Sequence, residues 1–522
     1  MFRILFPFLF LALAAGAQRK SDTSSASMVV SAHPLATEAG HRILRNGGNA
    51  FDAATAVAFM LAVAEPSMSG IGGRLQAVWH RPGKGAAGID ATTQAPAGYV
   101  KKQSENDDGY GTVGVPGMVK GIVAMHAEHG RLPLREVMQP AIDAASKGFP
   151  FLPDELIRQS MVLKDTRAFD GTVRHFIRND TTPAPVESFR QPALAATLKA
   201  ISKDGGKSFY SGGMAFDLAK EVEEGGGFLR LSDMESYRAT ESKMLRGSYR
   251  GYEVVGMGLP CYGAIVIEML QMLAQTDLSR LDEKDFLLAH AVAHYKAYND
   301  RPLLRTREDS LVMHSFAAKR WKDSLPPHIP RPVAAREDSA NGHTTHFVTT
   351  DTHGNVVSIT QSLGPIMGSK VASKKYGFLF ATTMGPYLGT VKAGERAASH
   401  ISPVILYRDG QPVMALGAAG GARIVPAIVQ VISRIVDQGM TPQQALSAAR
   451  VFQNPDRLLV ETHPGVFWKE EGTWQRLQSS GHRVEAVKSP GQFGRVHMLL
   501  RKDGAWIGAA DPDWSGTAMG TR

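Results

Sequence analysis

The feature that most constrains the fold is a change of pattern at residues 323–342. This segment is rich in Pro, Arg, Asp and Ser and has no periodicity, which indicates a loop or an exposed linker. Before it, residues 114–278 read as mostly helical; after it, residues 346–351 and 355–362 alternate as the two strands of a hairpin. The pattern predicts a helix-rich part and a β-rich part that share one core of strands covered by helices.

Composition excludes several classes of protein. Of the 522 residues, 43% are hydrophobic and 20% charged, which is typical of a globular chain and not of a disordered or collagenous one. The net charge of +9 is modest, and Lys and Arg are scattered without a run of five, so we expect no nucleic-acid partner. An anionic substrate suits a positive surface.

Residues 1–17 have the pattern of a secretory signal peptide. Arg3 precedes a twelve-residue apolar stretch at residues 4–15, and Ala15-Gly16-Ala17 is a small-x-small cleavage signal. The alternative is a buried N-terminal helix. No later stretch approaches eighteen unbroken apolar residues, so no stable membrane anchor is expected. With Cys261 as its only cysteine the chain cannot form an intramolecular disulfide, and export without disulfides favours a bacterial periplasm or exterior.

The junction Asn341-Gly342-His343-Thr344-Thr345 is where the linker meets the first strand of the hairpin. A threonine hydroxyl is ordinarily a poor nucleophile. If Thr344 became the first residue of a chain, its own α-amine, which titrates near pH ~8, would lie beside the hydroxyl and accept its proton. By itself the pattern also fits an ordinary β-branched strand entry.

Longer matches extend over residues 28–516. Residues 28–73 (MVVSAHPLATEAGHRILRNGGNAFDAATAVAFMLAVAEPSMSGIGG), Val115-Pro116-Gly117, residues 245–252 (LRGSYRGY), residues 417–424 (GAAGGARI) and residues 508–512 (GAADP) occur in this order. In these motifs the chain resembles the γ-glutamyltransferase (glutathione hydrolase) family of N-terminal-nucleophile hydrolases.

The resemblance implies a four-layer αββα sandwich built from two self-processed pieces, with cleavage between His343 and Thr344. The large piece would be residues 18–343, with the linker at about 323–343, and the small piece residues 344–522. The two would remain associated as a heterodimer. Thr344 would be the nucleophile, with its α-amine as base, and would act on a small-molecule or peptide amide without a metal or organic cofactor.

The resemblance also implies roles for residues around the nucleophile. Gly420 and Gly421 match the glycine pair whose backbone N–H groups stabilise the oxyanion, a role that suits glycine because backbone can approach closely there. Thr345 and Ser362 match positions that hydrogen-bond around the nucleophile, with Ser362 where the family usually has threonine.

The expected donor site departs from the family. Thr92 replaces the arginine that binds the glutamyl α-carboxylate, and Pro386 replaces the aspartate expected after Thr383 in a segment without a carboxylate. Gly364 replaces an asparagine.

Of the paired serines, Ser399 remains and His400 replaces the other; His400 is one candidate contact for an anionic group. Arg74, where the family usually has glycine, is a candidate for a relocated carboxylate clamp, or else an arginine that pairs structurally or points to solvent. Since threonine cannot reproduce a bidentate arginine contact, we expect a different acyl donor from the family's default, a γ-glutamyl amide such as glutathione.

Two other signals are discounted. His290 and His294 have the i, i+4 spacing of a zinc helix but lack the adjacent glutamate and a clear third ligand. Cys261 reads as a small packing residue. The expected activity is amide hydrolysis or acyl transfer through acyl-Thr344; the alternative is a secreted, non-catalytic binding protein that kept the fold.

Overall fold

The computed structural model of the protein describes residues 19–101, 108–185, 187–323, 343–389 and 391–521. Its strands are β1 (Ser21–Ser24), β2 (Met28–Ser31), β3 (Arg74–Arg81), β4 (Gly85–Ala91), β5 (Thr240–Glu241), β6 (Met244–Tyr249), β7 (Tyr252–Met257), β8 (His343–Thr350), β9 (Val356–Gly364), β10 (Val404–Arg408), β11 (Gln411–Ala419), β12 (Val451–Gln453), β13 (Leu458–Glu461), β14 (Val484–Val487), β15 (Arg495–Lys502), β16 (Ala505–Ala510) and β17 (Thr517–Gly520). Its α-helices are α1 (Pro34–Arg45), α2 (Ala50–Ala64), α3 (Met118–His129), α4 (Leu134–Lys147), α5 (Pro153–Met161), α6 (Leu163–Thr166), α7 (Asp170–Phe176), α8 (Pro192–Asp204), α9 (Lys207–Tyr210), α10 (Gly213–Glu224), α11 (Leu231–Ser236), α12 (Gly263–Leu273), α13 (Glu283–Asp300), α14 (Leu304–Leu311), α15 (His314–Lys322), α16 (Ile424–Val436), α17 (Pro442–Ser447) and α18 (Thr473–Gln478). The expected leader, residues 1–17, and linker residues 324–342 lie outside the described residues.

Two seven-stranded sheets form the centre of the fold. Sheet I has the order β1-β16-β15-β11-β10-β7-β6, and sheet II has the order β17-β2-β8-β9-β3-β4-β5. Each sheet takes strands from both sides of the linker. The helix-rich and β-rich parts of the sequence therefore share one strand core, as predicted.

The sheets pack face to face, and helices cover their outer faces. Val30, Val78 and Val348 of sheet II meet Ile405 and Leu499 of sheet I in a buried apolar layer. Helices α1 to α4 pack on the outer face of sheet II, and α12, α13 and α16 pack on that of sheet I. The predicted four-layer αββα sandwich is confirmed.

Helix α2 fixes one side of the candidate site. Every residue of α2 is buried, which explains why its sequence is apolar on all faces. The helix begins at a capping box formed by Asn49 and Asp52, and the Asp351 carboxylate after β8 accepts a hydrogen bond from the Ala50 amide at 2.8 Å. Glu65 follows the last residue of α2, and its carboxylate accepts a hydrogen bond from the Thr345 hydroxyl near the start of β8.

The prediction of a mostly helical stretch over residues 114–278 is wrong for residues 240–257, which form β5 to β7. Along β6 the buried side chains are Leu245 and Tyr249, with exposed residues between them. The turn Arg250-Gly251 has positive φ at both positions, as in a type I′ hairpin. The period-two alternation of β6 covers only six residues, so the helical pattern of the segments before and after β5 to β7 dominates the prediction.

Two smaller differences concern strands that the sequence pattern did not indicate. The polar stretch around Ser21–Ser24 forms β1, an edge strand paired with β16, and β12 to β14 form a separate three-stranded sheet. Within the described part of the chain, no helix has the length and apolar character needed to cross a bilayer.

Candidate active site

The candidate site lies where β8 begins beside the end of β9. His343 pairs with Gly364 and Thr345 pairs with Gln361, and the register shifts between these pairs. Thr344 therefore lies opposite a β-bulge formed by Ser362 and Leu363 on β9, a feature that redirects side chains out of the regular ladder. Thr344 is 2% exposed.

The Ser362 hydroxyl connects both sides of the peptide bond between His343 and Thr344. The Thr344 hydroxyl donates to Ser362 Oγ at 3.0 Å, and Ser362 Oγ donates to the His343 carbonyl oxygen at 2.9 Å. The Gly364 amide donates to Ser362 Oγ at 2.9 Å and fixes its position. The candidate nucleophile and the carbonyl that it would attack thus share one hydroxyl.

Thr345 faces the other side of sheet II. Its hydroxyl donates to Glu65 Oε2 at 3.2 Å, and Glu65 in turn pairs with Arg158 at 3.4 Å. Burial raises the pKa of Glu65 to about 7, against the opposing effect of Arg158. The hydroxyl of Thr345 is thus directed at Glu65, so this contact positions Thr344 through the backbone.

The His343 imidazole is neutral at physiological pH. Burial lowers its pKa well below the ordinary value, and the charges of Arg495, Arg158 and Lys370 lower it further. A neutral ring carries no charge into the cleavage site.

The Gly420-Gly421 turn follows β11 at the same end of the sandwich. The φ angles are +138° and +57°, and a Cβ on Gly420 would lie 2.9 Å from Gly494 Cα, so both conformation and space require glycine there. Ala419, one residue earlier, pairs with Arg495, whose charge acts on the His343 imidazole. This turn therefore lies near the start of β8. Since Gly420 and Gly421 carry no side chains, their backbone is not covered by their own residues.

Arg74 lies beside the Thr344–Ser362 pair. It pairs with Ser362 across β3 and β9, so both side chains leave the same face of sheet II. Its Nη2 donates to the Thr382 carbonyl oxygen, and the side chain is 2% exposed. Burial lowers its pKa to about 10, so it stays protonated at neutral pH.

Gly364 lies next to the Arg74 guanidinium. Gly364 has φ +98°, and a Cβ there would lie 3.6 Å from Arg74 Nη2 and 3.5 Å from both the Thr382 carbonyl oxygen and the Tyr387 ring. The two positions at which the sequence led us to expect departures from the family, 74 and 364, are therefore neighbours in space.

Thr92 lies on the strand next to Arg74. Leu75 pairs with Ala91, so Arg74 and Thr92 are the next positions outward on β3 and the end of β4. The Thr92 amide donates to Asp90 Oδ1 at 2.8 Å, and its hydroxyl has no hydrogen-bond partner among the described residues.

The other candidate donor residues are more dispersed. Thr383 follows Thr382 and packs its side chain where a Cβ on Gly114 would lie. The Ser399 amide donates to the Pro260 carbonyl, and the His400 ring packs edge-on against Tyr262 at 4.8 Å between centroids. The structure brings Arg74 and Thr92 together beside Ser362 and places Ser399 and His400 in the segment before β10.

Sequence reasoning missed Glu65 and Gln76. Gln76 lies two residues after Arg74 on the same face of β3 and is fully buried, and neither atom of its amide has a partner among the described residues. The signal that could have found Gln76 is the period-two alternation of a strand, which places residues 74 and 76 on the same face of β3.

Two groups of metal-ligating residue types have other partners. His290 contacts the Phe286 carbonyl at 2.8 Å and the Ser433 hydroxyl at 2.7 Å, so its ring is satisfied by protein groups. Glu461 and Asp513 flank His463, but Arg450 forms ion pairs with both carboxylates, at 2.8 Å and 3.8 Å. Arginine thus already balances the charge of that cluster.

The comparisons with known proteins agree with this geometry. A family model described as gamma-glutamyltranspeptidase matches residues 36–521. A glutathione hydrolase proenzyme of Bacillus subtilis (strain 168) is 30% identical, with 96% of this chain and 92% of that protein covered. An acylase ACY 1 proenzyme of Pseudomonas sp. (strain V22) is also 30% identical, with 94% and 93% covered. The crystal structure of cephalosporin acylase from Bacillus halodurans superposes with a TM-score of 0.88 at 26% identity, with 99% of this chain and 100% of that chain covered.

Proposed function

Because this chain belongs to the gamma-glutamyltranspeptidase family, whose members are hydrolases and acyltransferases, we propose that it cleaves itself before Thr344 and then acts as an amidase through acyl-Thr344. The resemblance seen in the sequence is thereby confirmed, and the family supports an enzyme over a binding protein. One observation carries the proposal: the Ser362 hydroxyl contacts both the Thr344 hydroxyl and the His343 carbonyl oxygen.

Self-cleavage begins with attack of Thr344 Oγ1 on the His343 carbonyl carbon. The hydroxyl proton passes towards Ser362 Oγ, and Ser362 donates to the carbonyl oxygen as negative charge develops there. The intermediate collapses by breaking the bond between the carbonyl carbon and the Thr344 nitrogen, which takes a proton. Water then hydrolyses the ester to a His343 carboxylate and the Thr344 hydroxyl, with a free α-amine.

Turnover uses the same hydroxyl with a new base. The Thr344 α-amine accepts the hydroxyl proton as Oγ1 attacks the substrate amide carbonyl, and the protonated amine then donates to the leaving amine. The backbone N–H groups of Gly420 and Gly421 stabilise the oxyanion. Water resolves the acyl-Thr344 ester to an acid, and an acceptor amine resolves it to a new amide.

We further propose that the donor is not read as a γ-glutamyl group. Relatives with the same 30% identity are named for glutathione hydrolysis in one case and as an acylase in another, so similarity alone does not determine the donor. Thr92 has no guanidinium to bind an α-carboxylate, and Pro386 has no charge to bind an α-ammonium.

The proposal also includes export of the chain from the cytoplasm and its cleavage into two associated pieces. The relatives named above are bacterial, and the apolar stretch before Gln18 is the signal that would direct this chain out of the cytoplasm. Cleavage at 343–344 would leave pieces of 326 and 179 residues, from residues 18–343 and 344–522. Since both pieces contribute strands to both sheets, separating them would expose the core, so they remain a heterodimer.

Intact mass spectrometry with N-terminal sequencing tests the proposal. The purified protein should contain two pieces, the smaller beginning at Thr344, and Thr344→Ala should remain one chain. Thr352→Ala, on the exposed turn of the same hairpin, is the matched control and should be cleaved normally. Cleavage of Thr344→Ala at the same bond, or a wild-type chain that stays intact, would exclude Thr344 as the nucleophile.

A further inference from the structure

We propose that Arg74 is the anion-binding residue of the donor site, and that the donor is the monoamide of a dicarboxylic acid without an α-ammonium group. The inference rests on the proposed acyl-Thr344 chemistry and names the acyl group that this chemistry would transfer. Two observations carry it. Arg74 is buried without an ion-paired carboxylate among the described residues, and it lies between Ser362 and Thr92.

Arg74 differs from the three other arginines of the described chain that are at most 2% exposed. Arg158 pairs with Glu155 at 2.8 Å, Arg434 with Glu283 at 2.8 Å, and Arg450 with Glu461 at 2.8 Å. Within the described ranges no carboxylate forms an ion pair with Arg74, although it is as buried as the others. A buried cation without a counter-charge is costly, so a site that retains one is suited to an anion from outside the chain.

The strand register places this cation at the reacting end of the site. Ser362, Arg74 and Thr92 lie at the ends of β9, β3 and β4, which are neighbouring strands about 4.8 Å apart. Arg74 and Ser362 leave the same face, and the Ser362 hydroxyl contacts Thr344. A carboxylate on Arg74 therefore lies one strand away from the nucleophile's partner.

Polar atoms around Arg74 are available to a ligand. Arg74 Nε, both amide atoms of Gln76 and the Thr92 hydroxyl are buried without a hydrogen-bond partner among the described residues. Buried polar groups are nearly always hydrogen-bonded, so four such atoms on adjacent strands indicate a ligand that satisfies them. Gly364 adds the space that a side chain would fill.

The charges around Arg74 select against an ammonium group. The nearby carboxylate of Asp90 already pairs with Arg396 at 2.6 Å, and residues 377–386 contain no Asp or Glu. An α-ammonium on the donor would lie beside the Arg74 cation with no described carboxylate to balance it, and like charges at such distances repel. A donor with the carboxylate alone fits this arrangement.

Three chromogenic donors with the same five-carbon backbone separate these features. Glutaryl-p-nitroanilide has the terminal carboxylate, γ-glutamyl-p-nitroanilide adds the α-ammonium, and valeryl-p-nitroanilide lacks both. We expect kcat/KM for the glutaryl donor to exceed that of each of the other two by about tenfold or more, since a charge-assisted hydrogen bond contributes at least that factor. Calorimetric binding of glutaramate, L-glutamine and valeramide to the cleaved protein makes the same comparison without turnover.

Arg74→Met and Arg74→Lys test the residue itself. Arg74→Met should remove the preference for glutaryl over valeryl in kcat/KM and in binding, while self-cleavage remains. Arg74→Lys keeps the charge on a different geometry and should recover part of the preference. Arg81→Met, at the other end of β3, is the matched control and should keep the wild-type preference.

The outcomes distinguish this inference from the proposed function. Absence of cleavage would contradict the acyl-Thr344 chemistry. A cleaved protein that favours γ-glutamyl or valeryl donors, or an Arg74→Met variant that keeps the glutaryl preference, would overturn the role of Arg74 while leaving the nucleophile intact. If Arg74→Met does not fold, binding of glutaramate to Arg74→Lys decides the point: unchanged affinity overturns the assignment.

Discussion

Replacing Ser362 by alanine should slow self-cleavage by about two to three orders of magnitude. The substitution removes three contacts at once, because Ser362 Oγ accepts from the Thr344 hydroxyl and the Gly364 amide and donates to the His343 carbonyl. The donated bond matters most, since it is directed at the oxygen on which negative charge develops.

The magnitude follows from that bond. Loss of one donor to a developing oxyanion costs about 3–4 kcal/mol of transition-state stabilisation, which corresponds to about 10²–10³ in rate. A buried hydroxyl or amide left without its partner costs about 1–3 kcal/mol in the ground state. That second cost affects stability of the folded precursor, so the melting temperature should fall while the secondary structure remains.

A time course of cleavage, followed by intact mass from the earliest purified fraction, measures the effect. Ser362→Thr is the control, because it keeps the hydroxyl and adds only a methyl group. It should cleave within about tenfold of wild type, and overpacking of about 1–3 kcal/mol in a buried site should appear as a lower melting temperature. Cleavage of Ser362→Ala at the wild-type rate would refute the reasoning, because it would show that this hydroxyl does not stabilise the oxyanion.

Two further predictions concern sites away from this hydroxyl. Gly420→Ala should lower amidase kcat by about 10², because φ +138° and a Cβ only 2.9 Å from Gly494 Cα force the backbone N–H away from the oxyanion; normal kcat would contradict this. His463, 3.4 Å from Glu461 and 3.2 Å from Asp513, has its pKa raised chiefly by its hydrogen bond to Glu461. Its stabilisation is complete below the unfolded pKa of about 6.5 and is lost as the pH rises through the folded value, so His463→Gln should lower the melting temperature at pH 5.5 and not at pH 9. An equal loss at both pH values would exclude protonation as the cause.

Local motifs made part of the site predictable from the sequence. Thr344 follows a linker and begins a strand, whereas the roles expected of Ser362 and Gly420-Gly421 came from the family resemblance of the short motifs in which they occur. The hairpin around Gly354 also brings Thr344 and Ser362 together, because two adjacent antiparallel strands need little more than their turn to set which residues face each other.

The other contacts of the site join residues that are far apart in the sequence, and no local pattern predicts them. Arg74 reaches the carbonyl of Thr382, 308 residues later, and Thr345 contacts Glu65 across 280 residues. Which residues meet depends on how β3 pairs with β9 and how α2 ends beneath β8, and no local pattern encodes either. The same applies to β6 and β7, whose alternation is too short to outweigh the helical stretches around it.

The register also brings together three positions, 74, 92 and 364, at which the resemblance implies departures from the family. Arg74 Nη2 lies 3.6 Å from where a Cβ on Gly364 would be, and Arg74 lies beside Thr92, the position at which the resemblance implies an arginine in the family. If Thr92 stands in place of the family's arginine, as the resemblance implies, the positive charge lies here at the start of β3 instead of the end of β4, next to the strands that hold the Thr344–Ser362 contact. Since the proposed self-cleavage uses that contact and the proposed donor selection uses Arg74, the two functions should separate: Ser362→Ala should be cleaved slowly and so form little active enzyme, whereas Arg74→Met should be cleaved and lose its preference among acyl groups.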